Sequence, residues 1–428
     1  MVNKMKEHRK LSELALLVNE KVNPSKLNEE VLHYSIPAWK EGAPQLVHSK
    51  EVESTKFLLP ENAVLVSRLN PSVHKTWVLD GESRKYTSIG STEWAVVVPH
   101  DSEDLDYLHA ALESPLFQHQ MEAYVTGTTN SHQRVRPADF LQLTIPNHDK
   151  ESKTKIGVLS KNVRQLKEGL EQTSQKAEEI FQRQFSWWFL EFGPSMESVS
   201  DSFEAKLFPA TLEESKLGPI PAGWQVVRLG DIATLQKGLS YKGDCLEDSE
   251  ENGLPMFNLG CFGIDGTFRR EKMKYYSGEY RPRHVLNNGD LLIANTDMTA
   301  DRLILGSTII VPESLNKALF THHTYCLRLN AGQDERLVRY VSRMLSSPNF
   351  RYRAEGFSTG ATVLAMPKDA LMDYHFVLPS KDVLEYYYER EIMLENRFEN
   401  ALSIMTTLDE IRDKVIPGLL SGGVKPNK

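Results

Sequence analysis

The chain repeats itself once, at a separation of more than two hundred residues, and this repetition constrains its fold more than any other feature. SPLFQHQMEAYVTGTTN, from Ser114, matches SPNFRYRAEGFSTGATV, from Ser347. Pro115 pairs with Pro348, Phe117 with Phe350, Thr126 with Thr359, Gly127 with Gly360 and Pro146 with Pro379, all at 233 residues without a gap. Upstream, FLLPENAVLVSRLN from Phe57 matches HVLNNGDLLIANTD from His284 at 227, and LSELALL from Leu11 matches LGDIATL from Leu229 at 218. The drift reads as loops of different length. So long a period is a duplicated domain, not a solenoid repeat. Two copies of one unit in one chain tend to arrange about an approximate two-fold axis, as in a C2 dimer.

Each copy is followed by a long helical pattern. In 150–188, Ile156, Leu159, Val163, Leu166, Leu170, Thr173, Ala177, Ile180 and Gln184 alternate three and four residues apart. That spacing draws the narrow apolar seam of a coiled coil on a helix of roughly 50–60 Å. The second pattern runs through Leu384, Tyr387, Glu391, Leu394, Phe398, Ala401, Met405, Leu408, Arg412 and Val415, broken only by Glu391 and Arg412. It is expected to stop at Pro417-Gly418, before a disordered tail. Residues 150–183 hold 8 basic and 5 acidic side chains, and 381–415 hold 5 and 9, so the two helices carry opposite net charge. The expected fold is α+β: two similar domains, each followed by a long helix, the helices pairing as an antiparallel coiled coil. Its parts are a first domain at 1–149, a helix at 150–190, an acidic linker at 191–216, a second domain at 217–379, a second helix at 380–422 and a tail at 423–428.

Within the first domain, Phe57 to Val66 reads as a strand, a turn and a buried strand, and Trp94 to Val98 as another buried strand stopped by Pro99. Ser102 to Leu112 reads as a helix whose polar start, Ser102-Glu103-Asp104, resembles a capping box. Leu141–Ile145 reads as a closing strand.

At 428 residues the chain exceeds one ordinary core. The start lacks the apolar stretch of a signal peptide and no run is long enough for a membrane span. Cys245, Cys261 and Cys326 form no CxxC pair, which suits a reducing cytoplasm. Net charge is −8 with a pI near 6.0, so any nucleic-acid surface must be a local concentration of charge. Gly260-x-x-Gly263-x-x-Gly266 has the wrong spacing for a dinucleotide loop, and Asn70-Pro71-Ser72-Val73 lacks the second proline and aromatic of NPPY. His322-His323 has no HExxH context, and no P-loop or GxSxG occurs. No recognisable catalytic machinery is encoded.

Geometry alone fits either a brace for two domains or a spacer holding two reading heads; dimeric DNA readers place theirs about 34–36 Å apart. The segment from Glu214 to Trp224 (ES-x-LGPIP-x-GW) followed by Val227-Arg228-Leu229-Gly230-Asp231-Ile232 bears on that choice. It strongly resembles the lead-in to the second target-recognition domain of specificity (S) subunits of type I restriction–modification systems. FSWWFLEFGP resembles that family's central conserved region, and ENRFENALSIMTTLDEIRDKVIPGLLSG, from Glu395, its C-terminal one. NNGDLLIANTD and FSTGATVLAMPKDAL resemble the strand and loop of its recognition domains. The resemblance covers essentially the whole chain, in the right order. The first domain departs from it, lacking a GW lead-in and replacing the usual GD turn by Pro60-Glu61-Asn62-Ala63.

The resemblance implies a cytoplasmic, non-catalytic subunit that reads a two-part target in double-stranded DNA. It further implies binding to two methyltransferase (M) subunits and to restriction (R) subunits. S-adenosylmethionine, ATP and Mg are then expected on those partners and no cofactor in this chain. The acceptor base would be flipped into the M subunits. Alternatives are a coiled-coil scaffold that reads no DNA and a stand-alone DNA methyltransferase.

Candidate DNA contacts fall in four places. The loop Thr126–Pro137 has no acid and carries Thr128, His132, Gln133, Arg134 and Arg136, residue types that reach base edges or phosphates. Its copy carries Thr359, Thr362 and Lys368. The ends of the buried strands carry Arg68, Asn70 and, nearby, Lys75, matched by Asn295, Thr296 and Arg302. Lys237 and Tyr241 follow the LGDI strand, and Arg269, Arg270, Lys272 and Lys274 form a weaker basic run. Each, taken singly, reads equally well as ordinary polar surface. The aromatic cluster Phe185, Trp187, Trp188, Phe189 and Phe192 fits a subunit interface, and reads better as packing against the second helix or the linker.

Overall fold

The structure, a computed structural model, describes residues 8–40, 42–81, 85–125, 133–196, 206–263, 267–298, 303–315, 317–357 and 364–423. The chain divides into two compact units, Met1–Ser174 with Glu399–Lys428, and Gln175–Phe398.

In the first unit an antiparallel four-stranded sheet has the order Ala15–Val18, Trp94–Pro99, Asn62–Ser67, Thr76–Asp80. Its apolar runs Ala63–Val66 and Trp94–Val97 are buried on both faces, which is why they lack alternation. One face meets Leu105–Glu113 and Pro115–Ala123; the other carries Trp77 and Trp94, with Tyr34 packed on Trp77. A five-stranded sheet follows the order Lys21–Val22, Lys56–Leu58, Thr87–Gly90, Glu30–Tyr34, Gln45–His48, its third and fourth strands parallel.

The second unit rebuilds both sheets. Ala233–Lys237, Thr324–Leu329, Leu291–Ala294 and Thr308–Ile310 form the four-stranded sheet in the same order. Val285–Leu286, Ala318–Phe320, Leu254–Phe257 and Lys274–Tyr276 repeat four strands of the other, again with one parallel pair in the same place. The sheets differ at their edges: Lys21–Val22 lies on one side in the first unit, and Leu246–Glu247 on the opposite side in the second.

The duplication extends to single hydrogen bonds. Ser114 Oγ donates to the Ala111 carbonyl at 2.7 Å and accepts from Phe117 N–H; Ser347 does the same with Met344, at 2.6 Å, and Phe350. Leu11 N–H donates to Leu143 O, and Leu229 N–H to Tyr374 O. Tyr107 Oη donates to Pro146 O, and Tyr340 Oη to Val377 O. These last bonds correct the ungapped alignment expected from sequence. Leu143 corresponds to Tyr374 and Pro146 to Val377, a separation of 231, so two residues are lost after the SP-x-F helix and Pro146 does not match Pro379. Two smaller expectations also shift. The helix after Pro99 is capped by Asp101, whose side chain accepts from Glu103 N–H, and the closing strand is only Thr144–Pro146.

The long helices are Lys150–Phe189 and Lys381–Glu410, the second continued by a π-helical turn, Ile411–Val415, and by Ile416–Ser421. They run antiparallel within each unit. In the first, Ile156 shares a core with Ile416, Leu419 and Leu420, while Lys167 Nζ meets Asp409 at 2.6 Å. In the second, Arg390 donates to Gln184 and Trp188 stacks on Tyr386. The seam of the first helix differs from the expected one at alternate positions. Leu166 is 51% exposed and Ile180 69%, whereas Phe181, 8% exposed, is buried against Tyr387. A straight helix at 3.6 residues per turn drifts from a strict 3.5 repeat, and burying Phe181 removes more apolar area than burying Ile180 would. The second seam is as expected except at its end. Val415 is exposed and Ile416 is buried, because the π turn adds a residue to one turn and advances the buried face by one. The helix also passes Pro417-Gly418 and ends at Gly422, φ +77°, a left-handed cap. Of the expected tail, residues 424–428 lie outside the described residues.

The seam-breaking side chains are paired. Glu391 accepts from Arg343 Nε at 2.9 Å, and Arg412 meets Asp409 and Asp413. The aromatic cluster packs as expected against the second helix: Phe185 on Tyr387, Trp188 on Tyr386. It also receives Trp224 of the GW segment, against Phe189 and Phe192.

Candidate nucleic-acid interface

In each unit the buried third strand of the four-stranded sheet runs out into polar residues. In the first unit, Arg68 N–H donates to Glu93 O, Val135 N–H to Arg68 O and Asn70 N–H to Gln133 O, and Leu69 bridges Arg134. The strand end and the basic loop, separated in sequence, are therefore one surface. Asn70 takes a left-handed conformation, φ +49°, which asparagine tolerates better than most residues. Its side chain accepts from Ser72 Oγ at 2.8 Å.

The guanidinium of Arg68 is half-buried and turned inward, donating to Thr92 O at 2.7 Å and Val135 O at 3.3 Å. Burial lowers its pKa first; Glu93 raises it and Arg134 lowers it further. Arg134 is exposed and its Nη2 meets Glu93 Oε1 at 2.9 Å. Arg68 thus holds the frame, and Arg134 and Glu93 present charge on it. Arg136, more exposed still, is tied to Asp139 at 2.6 Å.

The second unit has the same frame with other side chains. Asn295 N–H donates to His323 O, Met366 N–H to Asn295 O, and Thr296-Asp297 pairs with Leu364–Ala365. Asn295 Nδ2 donates to His322 O at 3.2 Å, the place that Arg68 and Thr92 hold in the first unit. Thr296 Oγ1 and His323 Nδ1 lie 2.9 Å apart, and the rings of His322 and His323 are 3.9 Å apart. Lys237 is exposed at the end of a neighbouring strand and lowers the pKa of His323, after burial and His322. The turn 320–322 is reached by Gly238, where a Cβ would lie 2.2 Å from Thr321 O. Only glycine lets these two backbones approach so closely.

Sequence reasoning missed Glu93, His322 and His323. It had set His322-His323 aside as lacking metal-ligand spacing, and only the fold brings the pair to the strand end. The offset of about 230 residues between 92–93 and 322–323 was the available signal, hidden because neither residue type recurs.

The remaining candidates scatter. Lys75 is buried, its ammonium on Val73 O and 5.9 Å from the Trp39 ring centre. Tyr241 accepts from Lys274 at 3.3 Å, which joins it to the basic run 269–274. Lys368 is exposed at the start of Lys368–Met372. Thr128, His132, Arg302, Thr359 and Thr362 lie outside the described residues. Among the described residues no group of His, Cys, Asp and Glu is placed to hold a metal, and no helix is long and apolar enough to cross a membrane. Cys261 and Cys326 are buried thiols and Cys245 half-buried, all free; burial pushes Cys261 up to about 11.

The S subunit of the type I restriction–modification system of M. genitalium superposes over 100% of this chain and 98% of its own, with a TM-score of 0.57 and 13% identity. This chain has the fold of a type I S subunit. The HsdS subunit of Thermoanaerobacter tengcongensis aligns over 99% of this chain and 98% of its own at 17% identity, with a TM-score of 0.36. In sequence, the chain is 22% identical over 227 residues to the specificity subunit of the type I restriction enzyme MjaVIII of Methanocaldococcus jannaschii. That match spans 52% of this chain and 50% of the relative, about half of each. No family profile matches the chain. Within the S-subunit fold, the frames at 68–70 and 295–297 occupy equivalent places in the two units.

Proposed function

We propose that this chain is the DNA sequence-specificity subunit of a type I restriction–modification complex. Each unit reads one half of a two-part target in double-stranded DNA. The paired helices set the gap between the halves. Chemistry belongs to partners: two M subunits bring S-adenosylmethionine and methylate, and R subunits bring ATP and Mg and cleave. The chain itself is non-catalytic, and its place is the cytoplasm, with the DNA.

The observation that carries this reading is one strand-end frame built twice with different side chains. Arg68, Glu93 and Arg134 stand in one copy where Asn295, His323 and Ala365 stand in the other. A mere brace has no need for a matched backbone with unmatched polar tips. Two readers of two different half-sites do, since a shared docking geometry positions the protein and the tips select the bases. The formal charge of −8 fits a recognition subunit whose binding to DNA is completed by its partners.

The test is a domain exchange. Residues 217–379 are replaced by the same domain of a relative, and the target is read with M subunits present. One half-site should change and the other stay. If both changed, or neither, the two-head reading would be wrong. A scaffold that reads no DNA would instead give equal mobility shifts on target and random duplex.

A further inference from the structure

The frame at the strand end is held by backbone carbonyls. Positions 68 and 295 each donate, from N–H and from side chain, to the two carbonyls of the dipeptide that follows the parallel strand. The dipeptide is Thr92-Glu93 in the first unit and His322-His323 in the second. The same fold therefore tolerates a hydroxyl and a carboxylate, or two imidazoles, at one place. Its side chains are not chosen by the core.

We propose that this dipeptide is a specificity-determining element, His322-His323 reading base edges in one half-site and Thr92-Glu93 in the other. The inference rests on the DNA-reading function proposed above and assigns it to named side chains.

Three observations carry it. His323 is fixed, with Nδ1 on Thr296 Oγ1 at 2.9 Å and its ring against His322, so Nε2 is the ring nitrogen left for a ligand. The Thr296 hydroxyl can donate to Nδ1 or accept from it, so Nε2 can meet a base edge as a donor or as an acceptor. Burial, His322 and Lys237 all disfavour its charged form, which suits a hydrogen-bonding reader of bases better than a phosphate clamp. Second, Asn295 Oδ1, Thr321 Oγ1 and His322 Nδ1 are buried around the dipeptide and find no partner among the described residues. Native interiors leave few such atoms, and a concentration of them marks a place completed by water or ligand. Third, Glu93 is a carboxylate acceptor beside the exposed Arg134. Carboxylates accept from the cytosine amine and arginine pairs with guanine, so the first unit would favour other bases than an imidazole pair does.

The experiment uses the full chain with its M subunits and selection from randomised duplexes, followed by sequencing and a salt titration. The variants are H322T/H323E, T92H/E93H and the milder His323→Gln. H322T/H323E should lose the original target roughly ten- to hundredfold through one half-site, with a new base preference there, and leave the other half-site intact. T92H/E93H should do the reverse. His323→Gln should keep folding and M binding while altering one position. Unchanged preferences in all three variants would overturn the proposal. So would a uniform loss on every sequence with a shallower salt slope, the mark of a phosphate contact. If H322T/H323E fails to assemble, His323→Gln decides alone: an unchanged site overturns the proposal. A wild-type complex that selects no two-part site would sink the parent function as well. A wild-type two-part site with unaltered variants would sink this inference only.

Discussion

Replacing Arg343 by methionine strips the charge partner from a carboxylate in the helix seam. Arg343 donates Nε to Glu391 at 2.9 Å, bonds Glu178 through both terminal nitrogens, and lies 5.3 Å from the Phe181 ring centre. Burial lowers its pKa, but Glu391 and Glu178 more than compensate and hold it above the ordinary range. Glu391 is 5% exposed and lies beside the buried Tyr387 hydroxyl. Removing one member of a buried pair costs about 3–5 kcal/mol, because the other charge stays desolvated. At about 2–4 °C per kcal/mol for a unit of this size, R343M should melt roughly 6–20 °C lower. The double variant R343M/E391M removes both charges and should recover most of the loss. Thermal melts followed by circular dichroism give the size. Hydrogen exchange over residues 178–189 and 384–394 locates it. A single variant that melts like wild type, or a double variant as unstable as the single, would refute the reasoning.

Two further outcomes follow from the same structure. His109 is buried, and its pKa is lowered from 6.5 chiefly by burial, against Glu113 and Asp106 and with Arg164 and His74. The unfolded state therefore takes the proton first. Unit stability should be complete above about pH 6.5 and decline as pH falls towards the depressed value; melts across that window should show a shallower decline for His109→Gln. Deleting one heptad from each long helix shortens the pair by about 10 Å. Target selection should then return both half-sites with a spacer about three base pairs shorter; loss of M-subunit binding instead would make the helices an assembly surface first.

The duplication was legible because it rests on residues the backbone demands. Ser114 and Ser347 cap equivalent turns, and Phe117 and Phe350 fill equivalent places, each in the core of its own unit. The second helix seam was legible because the 3.6-residue period survives two charged interruptions. Where reading failed, long-range structure decided. Phe181 displaced Ile180 from the first seam because Tyr387 of the other helix gives it a partner, and the π turn moved burial from Val415 to Ile416. Arg68 was expected to read DNA, yet its guanidinium is spent on carbonyls of the turn 92–93 and of Val135. Glu93 and His323 were passed over for a related reason: their place is conferred by sheet pairing, not by any pattern local to them.

The central claim is that one chain reads two separate half-sites. Methylation sequencing of DNA from cells carrying this chain with its M subunit tests it most directly. Methylated adenine is expected in a two-part motif, with two defined halves separated by unspecified base pairs of fixed number. A continuous motif, or no sequence-specific methylation while the complex is assembled, would contradict it.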